Sequence, residues 1–206
     1  ELVALVADRA GNVTAAGTFT RKAGGADFVG HRISRSGSVL TSVWYAAPPA
    51  SEDRLRASCV DDHGNTYLAG TTSLGPGDPA MFLAKIDPAG RTVFCRQVAD
   101  PGAVNFSPFG MTVDGSGKIR VAGEIRSSRL VLFCFSDDGT VDWVTTSTQS
   151  VDPYAAGIRT DRTGTTIVYG EAYFRQAIVI AFGPGGGELW VRKHPADSRQ
   201  GDIGAE

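Results

Sequence analysis

The 206-residue chain carries 26 glycines and 10 prolines, is 42% hydrophobic and 20% charged, and has a net charge of −2. Such a chain can bury a core, and its near-balance of 20 basic and 22 acidic residues argues against a nucleic-acid binder that relies on phosphate attraction. There is no apolar run of the roughly 18 residues a membrane-spanning helix needs and no basic-then-apolar leader; the first residue is Glu1, as expected of a processed or truncated N-terminus.

Taken in chain order, the expected elements repeat four times. The first copy, about 2–49, has a turn at Asp8–Gly11, a glycine at Gly17, and a strand in which Val29, His31 and Ile33 alternate. A second turn at Ser34–Gly37 follows, with Thr41 beyond it. The second copy, about 50–102, gives the turn Asp61–Gly64, the strand 66–69 and Gly70. It continues with alternating Phe82, Ala84 and Ile86, the turn Asp87–Gly90, and Phe94. The third, about 103–150, gives a short strand at 111–113, the turn Asp114–Gly117, a strand at 119–122 and Gly123. Then come Val131, Phe133 and Phe135, the turn Ser136–Gly139, and Trp143. The fourth, about 151–203, gives a short strand at 158–160, the turn Asp161–Gly164, Gly170, alternating Ile178, Ile180 and Phe182, the turn Gly183–Gly186, and Trp190.

Three columns align across the copies. Asp8, Asp61, Asp114 and Asp161 recur at intervals of 53, 53 and 47 residues; each has a glycine nine residues on and a small residue (Ala4, Ala57, Gly110, Gly157) four residues before. Asp, Ser and Gly make tight hairpins through side-chain-to-backbone hydrogen bonds and positive φ. Period-two alternation of β-branched and aromatic residues signals strands. Two turn columns per copy imply four strands, named A to D. A tandem four-stranded antiparallel unit of about 50 residues is the sequence signature of a β-propeller blade. The expected fold is therefore all-β: a propeller with four blades in this chain. Three readings of the ring stay open: a segment of a larger ring, a ring of four closing alone, or self-association of two copies into a ring of eight.

The run Asp-Asp-His-Gly-Asn-Thr-Tyr-Leu-Ala-Gly at 61–70, with Met-Phe-Leu-Ala-Lys-Ile-Asp-Pro-Ala-Gly at 81–90, resembles the SBBP repeat, a bacterial blade motif. The third copy, Gly-Ser-Gly-Lys-Ile-Arg-Val-Ala-Gly at 115–123 with Ser-Asp-Asp-Gly-Thr-Val-Asp-Trp at 136–143, is also similar to delta-sixty repeats. The resemblance implies strand A innermost, the A–B and C–D turns on one rim, and an extracellular or cell-surface bacterial location. Lys118 and Thr165 depart from the motif, which has Asn there.

Variable loops on a rigid scaffold are where binding usually resides. The B–C loops lean basic (Arg21, Lys22, Arg126, Arg129, Arg175) and the D–A loops hold acids (Glu52, Asp53, Asp100, Asp152, Asp197, Asp202). Phe106, Phe109, Tyr154, Tyr173 and Phe174 are the expected exposed aromatics. Arg159, the only charge in its strand A column, could face the channel and clamp an anion; a structural ion pair is the competing use. His31 stands where the other copies have Ala84, Phe133 and Ile180, so it should point into a sheet-to-sheet interface with a hydrogen-bond partner. His194, Asp197 and Ser198 hold the atoms of a hydrolytic triad, but neighbours in one loop rarely reach triad geometry and no Gly-x-Ser-x-Gly elbow is present. Cys59, Cys95 and Cys134 are expected as buried free thiols. The Asp-x-x-Gly turns supply too few oxygens for calcium, so no metal and no cofactor is expected. The favoured reading is a non-catalytic binding or scaffolding module presenting loops to a protein or carbohydrate. The alternatives are a propeller enzyme of hydrolase or lyase type with chemistry at the channel mouth, and a structural spacer of a surface protein.

Overall fold

The computed structural model describes residues 2–20, 26–45, 53–73, 79–98, 106–125, 129–149, 152–172 and 176–194. Blade 1 comprises β1 (Leu2–Ala7), β2 (Val13–Thr20), β3 (Ala26–Ile33) and β4 (Val39–Tyr45). Blade 2 comprises β5 (Arg54–Val60), β6 (Thr66–Ser73), β7 (Pro79–Ile86) and β8 (Thr92–Val98). Blade 3 comprises β9 (Phe106–Val113), β10 (Ile119–Ile125), β11 (Arg129–Phe135) and β12 (Val141–Thr146). Blade 4 comprises β13 (Asp152–Thr160), β14 (Thr166–Ala172), β15 (Gln176–Phe182) and β16 (Glu188–His194). Each blade is one antiparallel meander in chain order, and the innermost strands β1, β5, β9 and β13 pack against one another in sequence. This is the β-propeller architecture that the repeat predicted.

The turns form where the Asp columns placed them. Asp8 Oδ1 accepts the Asn12 N–H at 2.8 Å, Asn12 Nδ2 donates to Asp8 Oδ2 at 3.0 Å, and the Gly11 N–H donates to the Asp8 carbonyl. Asp61 repeats this set with Asn65. Where Lys118 and Thr165 replace Asn, the backbone N–H still donates to the Asp, at 3.1 and 2.9 Å. The turn survives the substitution. The eight turn glycines, two per blade, have φ between 80 and 86°, conformations that L side chains rarely adopt.

The innermost strands are longer than the short runs at 111–113 and 158–160 suggested. Register shifts at Leu2/Ala4, Leu55/Ala57, Ala122/Gly123 and Asp152/Gly157 interrupt the alternation that would have betrayed their full length. Gly70 and Gly123, nine residues past their Asp, serve this irregularity. A Cβ on Gly123 would lie 2.5 Å from the Ser107 carbonyl and 2.4 Å from Phe106 Cζ, so only glycine lets the inner strand pass.

Three apolar layers hold consecutive blades together. Between blades 1 and 2, Phe28 stacks on Phe82 with centroids 5.0 Å apart, beside Leu55, Leu68 and Ile86. Between blades 2 and 3, Phe133 meets Phe106 edge-on at 5.0 Å and stacks on Phe135, with Leu83, Met111 and Val121 around them. Between blades 3 and 4, Leu130 and Leu132 pack on Ile158, Val168, Ile178, Ile180 and Phe182. Among the described residues no buried layer joins blade 4 to blade 1.

Candidate functional site

Residues 4–6, 56–58, 109–111 and 157–159 of the four innermost strands line an open central cavity of about 280 Å³. Its walls owe their closeness to the small-residue column: Ala4, Ala57, Gly110 and Gly157 all lie on them. A Cβ on Gly110 would fall 2.9 Å from Ile158 Cγ2. Two arginines, on the inner strands of blades 2 and 4, line the cavity. Arg159 is one of them; it is exposed, and its Nη1 donates to the carbonyl of Ile158 at 2.8 Å. Arg56 is also exposed there. Sequence reasoning missed it, because Arg56 lies five residues before Asp61, outside the column that drew attention to Arg159. Phe109, expected as an exposed loop aromatic, is instead half-buried on β9, where it lines this cavity and packs against the apolar layer between blades 3 and 4.

The remaining candidates do not gather here. Phe106 was expected on a loop; it is only 3% exposed, in the first position of β9 within the layer between blades 2 and 3. It is a core residue, hidden from sequence reading by the underestimated length of that strand. His31 is half-buried on β3, and its Nδ1 hydrogen-bonds Ser42 Oγ at 2.8 Å across to β4. That is the partner a polar ring needs, although the face it occupies looks away from blade 2. Arg129 is exposed at the start of β11. Tyr154 lies in β13; Arg126 and Tyr173 fall outside the described residues, as do most of the B–C and D–A loop residues. Asp53, read as a loop acid, is fully buried. His194 ends β16, while Asp197 and Ser198 lie outside the described residues. Cys59, Cys95 and Cys134 are free thiols, and burial pushes the first and last above their ordinary pKa.

A second cavity of about 280 Å³ lies between the turns of blades 2 and 3, lined by Asp61, His63, Lys85, Asp114 and Asp137 among others. The buried Lys85 Nζ pairs with Asp137. Tyr67 Oη is 3.1 Å from both Asp61 and Asp137 and can donate its one proton to either. Burial and those two carboxylates push the Tyr67 hydroxyl well above its ordinary pKa, so it stays a neutral donor. Burial works to raise the Asp61 carboxyl, but hydrogen bonds from Asn65, Tyr67 and His63 outweigh it and hold Asp61 below the usual range. At the junction of blades 1 and 2, Arg32 donates to Asp8 at 2.5 Å and to the Gly64 carbonyl at 2.8 Å; within blade 3, Arg120 donates to Asp114 at 2.6 Å, with its Nη2 beside Gly164 of blade 4. The second cavity therefore belongs to a blade-to-blade staple.

Among the described residues no helix is long and apolar enough to cross a membrane. No family model matches the chain, and no curated protein matches it. Solved structures do. The chain is similar to the BP39L lectin from Burkholderia pseudomallei, with a TM-score of 0.63 and 12% identity, covering 93% of this chain and 55% of that one. A protein of unknown function from Dyadobacter fermentans gives a TM-score of 0.58 at 14% identity, covering 92% and 67%. A gluconolactonase from Xanthomonas campestris gives 0.52 at 15% identity, covering 93% and 61%. At such identities the likeness concerns the fold, and the chain spans about half to two thirds of these three structures. This chain is a four-bladed β-propeller module.

Proposed function

We propose that the chain is a non-catalytic binding module of propeller type whose ligand is an acidic carbohydrate held at the central cavity. One observation carries this reading: Arg56 and Arg159, exposed on the inner strands of blades 2 and 4, both line the central cavity, with half-buried Phe109 on the blade 3 strand between them. A guanidinium fork matches a carboxylate in two parallel hydrogen bonds, and an aromatic ring gives a sugar face something apolar to lie on. The lectin among the fold neighbours supports a sugar over a protein partner. Kinship with the SBBP-type repeats, and with it a bacterial surface location, is part of the same proposal.

The test is titration calorimetry with uronic-acid oligosaccharides against their neutral counterparts. Binding of the acidic form alone is expected, weakened at least about tenfold in Arg159→Ala or Arg56→Ala, the loss of one charge-assisted contact. A folded protein that binds neither form ends the reading. The gluconolactonase neighbour motivates the enzymatic alternative, and lactone hydrolysis by the wild type that vanishes in Arg159→Ala would put chemistry at this cavity instead.

A further inference from the structure

Blade junctions in this chain share a device on their outer side. The fourth residue after each C–D turn glycine lies under the C–D turn of the next blade. Thr41 sits beneath Gly90, Phe94 beneath Gly139, and Trp143 beneath Gly186; a Cβ on Gly139 or Gly186 would come within 2.7 Å of the ring above it. The Trp143 indole Nε1 also donates to the Pro184 carbonyl at 3.1 Å. Two residues after Phe94, Arg96 lies over that ring and donates Nε to the Asp138 carbonyl of the same neighbouring turn at 3.1 Å.

Blade 4 carries both parts of this device. Trp190 occupies the position of Trp143 and Phe94, and Arg192 lies over it at 5.9 Å as Arg96 lies over Phe94. Yet Trp190 is 41% exposed, and Tyr169, on β14 of the same blade, is 42% exposed. Blade 1 carries the matching socket: Gly37 has φ of 86°, like the others, but nothing within 4 Å of where its Cβ would be. The face around it is the counterpart of a buried one. Leu5, Ala15, Val29 and Ile33 hold the positions of Ile158, Val168, Ile178 and Phe182, which are at most 1% exposed in blade 4, whereas Leu5 is 67% exposed and the other three are half-buried.

We infer that these two faces are the halves of one more blade junction, and that a second copy of this chain joins them. Trp190 of each copy seats under Gly37 of the other, its Nε1 donating to the Arg35 carbonyl and Arg192 reaching the Ser36 carbonyl. The occupant is a second copy because blade 1 and blade 4 carry complementary halves of one junction, and both stand uncovered among the described residues. Two copies related by a two-fold axis make two identical junctions and a ring of eight blades, within the range propellers adopt.

Light scattering on the 206-residue chain at micromolar concentration tests this: the expected mass is twice the 21.6 kDa of one copy. Trp190→Ala and Gly37→Asn should each give the mass of one copy. Asn tolerates positive φ, so the second variant keeps its turn while filling the socket. Mixed, the two variants should recover a dimer, since one junction then pairs an intact Trp190 with an intact Gly37. A wild type with the mass of one copy, an open-ended series of larger species, or a dimer indifferent to both substitutions would overturn the inference.

Discussion

Blade 3 and blade 1 are built on one backbone plan and live in different surroundings. In blade 3, all of β11 beyond its first residue is buried, because both faces of the sheet have a neighbour. In blade 1, β3 alternates between buried and half-buried, because only the face toward blade 2 is covered. A blade has no inside of its own; burial is conferred by what is docked on each face. The same position therefore holds Phe133 as core in one blade and His31 as a half-open residue in the other.

The difference can be broken from its strongest point downward. Phe133→Ala should cost about 4 kcal/mol of unfolding free energy by urea titration, since it empties the aromatic layer between blades 2 and 3. Gly123→Ala should cost about 3 kcal/mol by the same measurement, because its Cβ meets a backbone carbonyl that cannot retreat. Arg120→Ala strips the partner from a carboxylate in a pair whose side chains are 3% and 8% exposed, and should cost about 3 kcal/mol. The exposed Arg9–Asp62 pair, cut by Arg9→Ala, should change stability by less than about 0.5 kcal/mol.

Acid should act through the turns. Burial tends to raise Asp114, but bonds from Ser116, Arg120 and the Lys118 N–H prevail and hold it below the ordinary 3.8, as comparable bonds do for Asp61. A carboxylate with a lowered folded pKa contributes fully above its unfolded value, and that contribution disappears as pH falls through the folded one. Stability should therefore be level above pH 4 and decline below it, and Asp114→Asn should flatten part of that decline. In a single copy, His31→Ala should cost less than about 1 kcal/mol, because only a partly exposed bond to Ser42 is lost. At concentrations where two copies associate the loss should grow, because the second copy covers the face of blade 1 that carries His31.

The turns, the strand alternation and the four-blade count could be read from sequence because they depend on local chemistry: Asp closes its own hairpin, and glycine takes the positive φ. The polar staples could not. Arg32 comes from the third strand of its blade and Arg120 from the second of its own, so they share no column although each binds its blade's first-turn Asp. Phe106 was misread for a related reason, since the register shift in β9 conceals how far upstream that strand begins. Nor could the uncovered faces be seen, because Leu5, Val29 and Ile33 are as apolar as their buried counterparts. The exposed Arg56 escaped because cavity lining depends on where four separate strands meet.

The graded set Thr41, Phe94 and Trp143 has a consequence for assembly. Four near-identical blades in one polypeptide invite mispairing as they form, the characteristic hazard of repetitive chains. A blade docked one place out of order would press an indole into the space shaped for a threonine beneath Gly90, and would separate Lys85 from Asp137. Each seam thus works as an address, admitting its own neighbour and rejecting its near-twins by size and charge.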